Sequence, residues 1–427
     1  MGIIKEQSEK FWNGEITVAQ QHPLIPTGEY EEVAAGVMFY RWFANFVAVK
    51  TEEGIVLVDT GAHFNQAETV ALVRRFGPER INTAIYTHGH VDHALGMAAF
   101  IAEGQKNRVA RARVVGHRAI AARFDRYKRT AGYNGIVNAR QFSGPAAWPT
   151  DYVYPDTYFD ERFTVAAGSI KFECHHGRGE TDDACWVYIP QHKVLCTGDF
   201  IIWASPNAGN PQKAARYARE WAEALRAMVK AGAEVLLPGH GVPVFGALRV
   251  RQVLTDTAEY LQSLYDQTVA MMNTGTPLEE IVRNVAPSAK LIEKPYLQAV
   301  YDEPEFIVRN IWRLEAGWYD GAPSHLKPAP MANQARQIAE LAGGVEKLVE
   351  QAEAKFAAGD LAMASHLIDW AVMAAPEGVA AHAARMKIYA ARAAESRSTM
   401  SHGIFRAAAI ESAAKAGIAA PEDERKM

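Results

Sequence analysis

The sequence is poor in cysteine, with three in 427 residues. Cys174, Cys185 and Cys196 lie in or beside strand-like segments, and their odd number does not fit the disulfide framework of a small secreted protein. We interpret all three as small buried residues. The N-terminus turns polar at once and lacks the apolar core of a secretory signal, and no later run is long enough to cross a bilayer. We therefore expect a cytoplasmic protein that does not bind membranes.

An excess of positive charge is also missing. Lys and Arg number 45 against 49 Asp and Glu, for a net charge of −4 and a pI of about 6.4. Such a chain has no overall field that attracts nucleic acid, so we expect no nucleic-acid partner. Hydrophobic residues make up 49% of the sequence, which at this length is enough for more than one domain with a core of its own.

The first half alternates strand-like and helical patterns. Val, Ile, Leu and aromatic residues predict strands at 36–50 (a pair), 54–61, 81–86, 113–116, 170–174, 184–189, 193–196 and 234–237. Helical periodicity appears at 68–76 and 213–231. This order predicts two sheets packed face to face with helices outside, an α/β architecture of αββα type.

The second half reads as helices alone. They are predicted at 252–273, 277–285, 305–315, 331–341, 345–358, 361–374 and 379–396. Residues 352–391 resemble one helix-turn-helix repeat, which we interpret as a packed α-hairpin because a single repeat cannot build a solenoid. We therefore predict a catalytic domain over 1–250, an α-helical domain over 251–410 and a tail over 411–427.

The run from Thr87 to Gly96 holds four metal-binding side chains directly after the strand at 81–86. His88 and His90 point the same way on extended backbone, so they can share one ion. Asp92 and His93 then turn toward a second. A single histidine here would be an ordinary turn residue, but the whole H-x-H-x-D-H spacing predicts a dinuclear site for Zn²⁺, with Fe or Mn as alternatives.

Two ions need about seven protein ligands if a water-derived nucleophile fills the remaining positions. Three candidates lie downstream: Glu180 in a loop before a strand, and Asp199 and His240 directly after strands. A rigid sheet can aim ligands from such positions. Asp59 also follows a strand, and we interpret it as a group that orients a histidine ligand.

These residues occur in short strings whose order and spacing resemble the metallo-β-lactamase-fold hydrolases. The strings are Asp59-Thr60-Gly61, Thr87-His88-Gly89-His90-Val91-Asp92-His93, Gly179-Glu180-Thr181, Gly198-Asp199 and Gly239-His240. Most members have histidine where Glu180 stands, and the alkyl sulfatase branch resembles this chain in using glutamate. That branch usually has glutamate where this chain has Asp199.

The second half resembles the alkyl sulfatase dimerisation domain. The strings are Asp266-Gln267-Thr268-Val269, Lys294-Pro295-Tyr296-Leu297-Gln298, Arg309-Asn310-Ile311-Trp312-Arg313, Gly317-Trp318-Tyr319-Asp320-Gly321 and Glu340-Leu341-Ala342-Gly343-Gly344. The resemblance implies a homodimer and a small-molecule ester substrate.

The resemblance also implies a mechanism. His88, His90 and Glu180 would hold one Zn²⁺, while Asp92, His93 and His240 would hold the other, with Asp199 bridging. Asp199 and Asp92 would then be catalytic, because they would position a hydroxide between the two ions. The charge of the ions brings the pKa of a bound water to around 7. Whether water attacks carbon or sulfur stays open.

Substrate contacts are expected from four residues. Asn207 matches a family asparagine that is followed five residues later by an arginine that holds sulfate. Gln212 stands at the position of that arginine, and the ammonium of the adjacent Lys213 cannot replace a guanidinium fork. Tyr133 and Asn134 lie in a Gly-rich segment, 131–140, predicted to be a loop over the metals or an ordinary surface loop. The family commonly continues into a lipid-carrier-like domain, whereas this sequence stops at 427, so we expect a weaker wall for the alkyl tail.

Three other interpretations remain open. The same centre could hydrolyse a lactone, thioester, phosphodiester or β-lactam, and nothing in the motif separates these. The second is a diiron redox protein of the same fold; such proteins carry glutamate at the position of His90, so the histidine here argues against this class. A non-catalytic scaffold is the third, and the complete ligand set argues against it.

Overall fold

Two β-sheets, stacked face to face, frame the first part of the chain. The computed structural model describes residues 2–423, apart from the side chain of Asn65. Packing divides them into two units, one made of 2–131 and 148–317 and the other of 132–147 and 318–423. Each unit has its own apolar core, and the two sheets belong to the first.

The first sheet has seven strands in the order of the chain. They are β1 (Glu29–Ala34), β2 (Val37–Arg41), β3 (Phe46–Thr51), β4 (Gly54–Val58), β5 (Ile81–Ile85), β6 (Arg113–His117) and β7 (Thr157–Phe159). Neighbours from β1 to β4 are antiparallel, whereas β4 to β7 run parallel. The carboxyl ends of the parallel strands therefore meet at one edge, where a ligand site is expected.

The second sheet has six strands in the order β13-β12-β11-β10-β9-β8. They are β8 (Arg162–Ala167), β9 (Ile170–His176), β10 (Cys185–Ile189), β11 (Val194–Gly198), β12 (Val235–Pro238) and β13 (Val244–Phe245). Only β11 and β12 pair in parallel, so their carboxyl ends lie side by side. Asp199 follows the first of these strands and His240 the second.

Alternation along β4 shows how the sequence builds the layers. Val56 and Val58 pack into the core between the sheets, while Ile55 and Leu57 face the outer helices. The period of two places successive side chains on opposite faces, so a strand covered on both sides reads as one apolar run. Cys174, Cys185 and Cys196 are buried between the sheets as free thiols, as expected.

Helices cover both outer faces of the sandwich. The first sheet packs against α2 (Gln66–Phe76), α4 (Met97–Lys106) and α5 (Ala119–Arg129), and the second against α7 (Ala218–Lys230) and α8 (Ala247–Asn273). The short α3 (Val91–Ala94) lies in the first unit too, as do α1 (Ile3–Trp12), α9 (Leu278–Asn284), α10 (Ala289–Ile292) and α11 (Pro304–Ala316). The predicted αββα sandwich is confirmed.

The described residues of the second unit form helices joined by loops, without a strand. It comprises α6 (Ala131–Phe142), α12 (Pro323–Leu326), α13 (Met331–Leu341), α14 (Val345–Ala357), α15 (Leu361–Ala374), α16 (Val379–Glu395) and α17 (Thr399–Ala416). The predicted α-helical second half is therefore confirmed. The packing division at residue 317 does not coincide with the predicted domain boundary at 250, because α8 packs against α7. A functional domain over 251–410 stays a prediction.

Three local predictions need correction. The helix predicted over 213–231 begins at Ala218, because the N–H groups of Arg216 and Tyr217 donate to Asn310 Oδ1 and Gly179 O instead of to a helical turn. The predicted loop over 131–140 is α6. The predicted tail over 411–427 begins inside α17, while 424–427 lie outside the described residues.

Within residues 2–423, every helix is too short or too polar to cross a bilayer.

Candidate metal centre

The seven predicted ligands converge at the edge where parallel strands end. The ligands form three overlapping groups, and within each group the ligand atoms lie within 4.8 Å of one another. The groups are His88, His93 and Asp199; Asp92, His93 and His240; and His90, Glu180 and Asp199. His93 and Asp199 each belong to two groups. The Asp199 carboxylate could offer one oxygen to each of two adjacent ions, whereas His93 has one free nitrogen and could serve only one; which ligand serves which ion stays a prediction.

The histidine run owes its geometry to the end of β5. The strand ends at Ile85, and His90 caps the single-turn helix α3 with extended backbone. His88 Nε2 and His90 Nδ1 are 2.8 Å apart, so the two imidazoles lie side by side; that they share one ion stays a prediction. The turn of α3 then carries Asp92 and His93 back toward the second sheet.

Asp199 enters from that sheet and lies among the histidines. Its Oδ1 is 3.1 Å from His93 Nε2 and 3.4 Å from His240 Nε2, and its Oδ2 is 3.7 Å from His88 Nε2. Gly239 makes this approach possible, because a Cβ there would collide with the Asp199 carboxylate and the backbone of Gly198. The glycine before His240 is thus required by close packing.

Unsatisfied buried atoms show that a cation fits here. Within the described residues, His93 Nε2 and Asp199 Oδ1 are buried and have no hydrogen-bond partner. Buried polar atoms are normally hydrogen-bonded, so such a pair needs another partner. Imidazole nitrogen facing carboxylate oxygen is a donor set suited to Zn²⁺.

Groups behind the ligands fix their orientation. Asp59 Oδ2 lies 2.8 Å from His93 Nδ1, and its carboxylate also accepts hydrogen bonds from the N–H and hydroxyl of Thr87. His240 Nδ1 is 2.5 Å from the carbonyl oxygen of Phe43. In both histidines the bonded nitrogen is Nδ1, which leaves Nε2 for an ion. Asp59 thus has the orienting contact predicted for it.

The cluster polarises its own members. Burial opposes ionisation of Asp199, yet the neighbouring His93 and His240 hold the pKa of that carboxyl well below its usual range. Burial likewise opposes protonation of His93, but Asp199 and Asp59 raise its pKa well above the ordinary histidine value. For Glu180 burial prevails and raises its pKa to about 8, against the opposing charge of Arg216.

Glu180 has two donors on one oxygen. Arg216 Nη2 donates to its Oε1 at 3.1 Å, and Asn207 Nδ2 donates to the same atom. Asn207, which was predicted to contact substrate, therefore donates a hydrogen bond from its side-chain amide to a candidate metal ligand. Sequence reasoning missed Arg216, since no local motif marks an arginine 36 residues from its partner.

Two other predicted substrate contacts lie in the second unit. Tyr133 and Asn134 are in α6, where the Tyr133 side chain is exposed. Their role toward substrate stays a prediction.

Lys213, the fourth predicted contact, lies in the first unit near the cluster. Burial lowers its pKa to about 8, helped by Arg216 and opposed by Glu180 and Asp92. Its Nζ is 6.0 Å from the ring centroid of Trp148. The ammonium therefore lies within the electrostatic reach of two of the predicted ligands.

An aromatic rim adjoins the His240 side of the cluster. The Phe43 ring meets the His240 ring edge-on, at 6.0 Å between centroids, and meets Phe64 at 5.8 Å. Phe64 also contacts His63, and its side chain is 57% exposed. Apolar surface of this kind is available beside the candidate ligands.

The neighbouring histidines His175 and His176 are held elsewhere. His175 stacks on Trp186 at 4.0 Å, and His176 stacks on His117 at 3.8 Å while its Nε2 contacts the carbonyl oxygen of Asp182. Neither belongs to the three ligand groups. These contacts give both histidines a structural role in the first unit.

Sequence families match both halves of the chain. Residues 40–240 match the metallo-beta-lactamase superfamily, and residues 277–415 match the alkyl sulfatase dimerisation family. The first half of the chain is therefore similar to metallo-β-lactamase-fold domains and the second half to alkyl sulfatase dimerisation domains. The predicted resemblance is confirmed.

Individual relatives are alkylsulfatases. A linear primary-alkylsulfatase of Pseudomonas sp. (strain ATCC 19151) is 29% identical over 76% of this chain and 65% of its own length. An (R)-specific secondary-alkylsulfatase of Pseudomonas sp. is 28% identical over 78% of this chain and 54% of its own length. The chain thus spans less than two thirds of either relative.

A solved structure shares the fold. The sec-alkylsulfatase Pisa1 from Pseudomonas sp. superposes with a TM-score of 0.80 at 23% identity, covering 92% of this chain and 66% of that one. At this identity the likeness establishes the fold.

Proposed function

We propose that this protein is a binuclear zinc hydrolase that cleaves alkyl sulfate esters. The observation that carries the proposal is that the Asp199 carboxylate belongs to two neighbouring ligand groups, while His93 Nε2 and Asp199 Oδ1 are buried and unsatisfied among the described residues. When bound, paired zinc ions lower the pKa of a shared water toward about 7 and neutralise charge on the leaving group.

The residues of the chain then have distinct tasks. Asp199 holds the two halves of the site together from the end of β11, and Asp92 and His240 close its outer side, with His240 Nε2 3.6 Å from Asp92 Oδ2. Asp59 and the Phe43 carbonyl keep both Nε2 atoms turned inward. The geometry is fixed before substrate arrives, which is what electrostatic catalysis requires.

Two features favour an alkyl sulfate over other esters. The Lys213 ammonium lies near the ligands and suits an anionic headgroup, although it offers a point charge rather than a fork. The Phe43 and Phe64 rings provide apolar surface beside His240 for a hydrocarbon chain. The relatives named alkylsulfatases support the same substrate class.

A second candidate is the same centre acting on a different bond. A metallo-beta-lactamase type 2 of Bacillus sp. (strain 170) is 26% identical over 46% of this chain and 66% of its own length. A β-lactam, lactone, thioester or phosphodiester therefore belongs in the same assay.

The experiment combines metal analysis with a substrate panel. We expect about two zinc ions per chain after mild purification, loss of activity on chelation, and the highest kcat/KM on a medium-chain alkyl sulfate. An active, metal-free preparation would overturn the metal mechanism. A non-sulfate ester preferred by about tenfold or more would overturn the sulfatase assignment and leave the hydrolase standing.

We further propose that the protein forms a homodimer through its helical half. The match of residues 277–415 to the alkyl sulfatase dimerisation family supports this. Several apolar side chains of the second unit are exposed, among them Trp318, Leu326 and Leu341. Light scattering at micromolar concentration should give twice the mass of one chain, and a monomer there would contradict the proposal.

A further inference from the structure

We infer that Arg216 is a positioning residue that holds Glu180 as a metal ligand through direct charge pairing. Arg216 Nη2 lies 3.1 Å from Glu180 Oε1, and both side chains are buried. The inference rests on the proposed metal site and adds a residue that no sequence motif marks.

Each nitrogen of the guanidinium donates to a protein oxygen. Besides Glu180, its Nε donates to the carbonyl oxygen of Asn207 at 2.8 Å and its Nη1 to the carbonyl oxygen of Ala214 at 2.7 Å. Three of the five N–H groups are thus used, and the side chain is 3% exposed. A cation held in this way is poorly placed to receive substrate, so its action must pass through Glu180.

Arg216 also fixes the second donor to Glu180. By binding the Asn207 carbonyl it anchors the backbone of the residue whose Nδ2 donates to the same Oε1. The backbone of Arg216 is tied down in turn, since Asn310 accepts from its N–H and donates to its carbonyl. These contacts form a closed arrangement around one carboxylate oxygen, and partners of this kind orient a ligand.

The positive charge of Arg216 explains its place beside Glu180. Asp92, Asp199 and Glu180 bring three carboxylates into one cluster, and the Glu180 side chain is buried. A buried carboxylate is stable as an anion only beside a fixed opposite charge. Arg216 supplies that charge from outside the ligand cluster, with its Nη2 3.1 Å from Glu180 Oε1.

A double-mutant cycle tests whether Arg216 acts through Glu180. Zinc affinity and stoichiometry are measured by competition with a chromophoric chelator for wild type, Arg216→Gln, Glu180→His and the double variant. Histidine at 180 can ligate zinc but carries no negative charge. We expect Arg216→Gln to weaken zinc binding about 10–100-fold with Glu180 present and less than about threefold with histidine there.

Arg216→Lys and Arg219→Gln complete the set. Lysine keeps the charge but cannot reach all three acceptors, so an intermediate loss is expected. Arg219, exposed and paired with Glu223 at 2.9 Å, should be neutral when changed. If Arg216→Gln fails to fold by circular dichroism, Arg216→Lys is compared in both backgrounds, with the same ordering of losses expected.

Two results would overturn the inference: unchanged zinc affinity in the Arg216 variants, or an equal loss in both backgrounds, which would indicate a general structural role. A folded wild type that binds no zinc would instead refute the proposed function, so the two failures are distinguishable.

Discussion

Asp59 and His93 form a buried hydrogen bond, with 2.8 Å between Oδ2 and Nδ1. The carboxylate can only accept, so Nδ1 carries the proton and Nε2 is left to face Asp199. Asp59 occupies the left-handed region with φ of 59°, an uncommon backbone conformation for a residue with a side chain. The backbone conformation and the side chain of Asp59 thus both place its carboxylate behind the His93 ring.

The first prediction concerns Asp59→Asn. Asparagine tolerates the left-handed region well, so this change removes the charge with little backbone cost. We expect zinc affinity to fall about 10–100-fold while the protein remains folded, as measured by chelator competition and circular dichroism. Asp160→Asn, at an exposed carboxylate paired with Arg118, is the matched control and should bind zinc like wild type. Equal affinities in both variants would contradict the orienting role.

The second prediction concerns Asp199→Ala. Removing the carboxylate shared by two ligand groups should abolish stoichiometric binding of the second ion and reduce kcat/KM by at least about a hundredfold. Elemental analysis and steady-state kinetics check both. His325→Ala is the control, since its exposed side chain pairs with Asp320 outside the three groups. A variant that retains two ions without the Asp199 carboxylate would show that it does not bridge.

Much of this centre was predictable because its ligands obey local rules. The histidine run places four of them within six residues after a strand, and Asp199 and His240 follow the parallel pair β11 and β12. Strand-end positions are readable from apolar runs alone, and parallel strands end at one edge. The convergence of these six candidates could therefore be predicted from the sequence, whereas Glu180 lies in a loop between the antiparallel strands β9 and β10 and does not follow this rule.

The supporting residues could not be predicted in the same way. The Phe43 carbonyl meets His240 across 197 residues of chain, and Arg216 meets Glu180 across 36. Every residue has a carbonyl oxygen, so the sequence does not indicate which one binds a histidine. An isolated arginine outside any motif likewise gives no indication of its partner. Such contacts follow only from how the sheets stack.

Tertiary packing also explains the helix that was predicted as a loop. Gly132 and Gly135 in α6 lower its intrinsic helix propensity, which favoured a loop interpretation. The backbone at Ala146 lies so close to Gly135 that a Cβ there would be 2.9 Å from its carbonyl oxygen. Glycine is tolerated in this helix because it lets another segment approach.

The third prediction is a pH dependence of folding stability at His117. Burial and the adjacent His176 lower the pKa of His117 to about 4, from an ordinary value near 6.5. A lowered histidine pKa means that protonation favours the unfolded chain. The stabilising contribution of neutral His117 is therefore complete above pH 6.5 and is lost as pH falls from about 6.5 to 4.

His117→Asn isolates this contribution. Asparagine does not titrate, yet its oxygen can accept from the Ala119 N–H that now bonds to His117 Nδ1. The free energy of unfolding is measured with urea at pH 7.5 and pH 5, after a chelator has removed bound metal. It should fall less between the two pH values in the variant than in wild type. Identical losses would mean that His117 does not carry the low pKa.

The fourth prediction concerns chain-length preference and the aromatic rim. Each buried methylene contributes about 0.8 kcal/mol, or about fourfold in binding, so kcat/KM should rise with alkyl length in wild type. Phe64→Ala should flatten that rise with little effect on a four-carbon substrate. Leu248→Ala, at another exposed apolar side chain, is the control. An unchanged slope in Phe64→Ala would place the hydrocarbon elsewhere.

The fifth prediction separates charge recognition from catalysis at Lys213. Its ammonium lies within the electrostatic reach of Glu180 and Asp92, so it is suited to hold an anionic group at the cluster. Losing a hydrogen bond to a charged group costs about 1.5–3 kcal/mol, and Lys213→Gln should therefore lower kcat/KM on an alkyl sulfate by about 10–150-fold. A neutral lactone makes no such contact and should be hydrolysed at nearly the wild-type rate. Lys213→Arg should retain most sulfate activity, and Lys230→Gln at the exposed end of α7 should match wild type. Equal losses on charged and neutral substrates would show that Lys213 supports the fold or the metals rather than the sulfate.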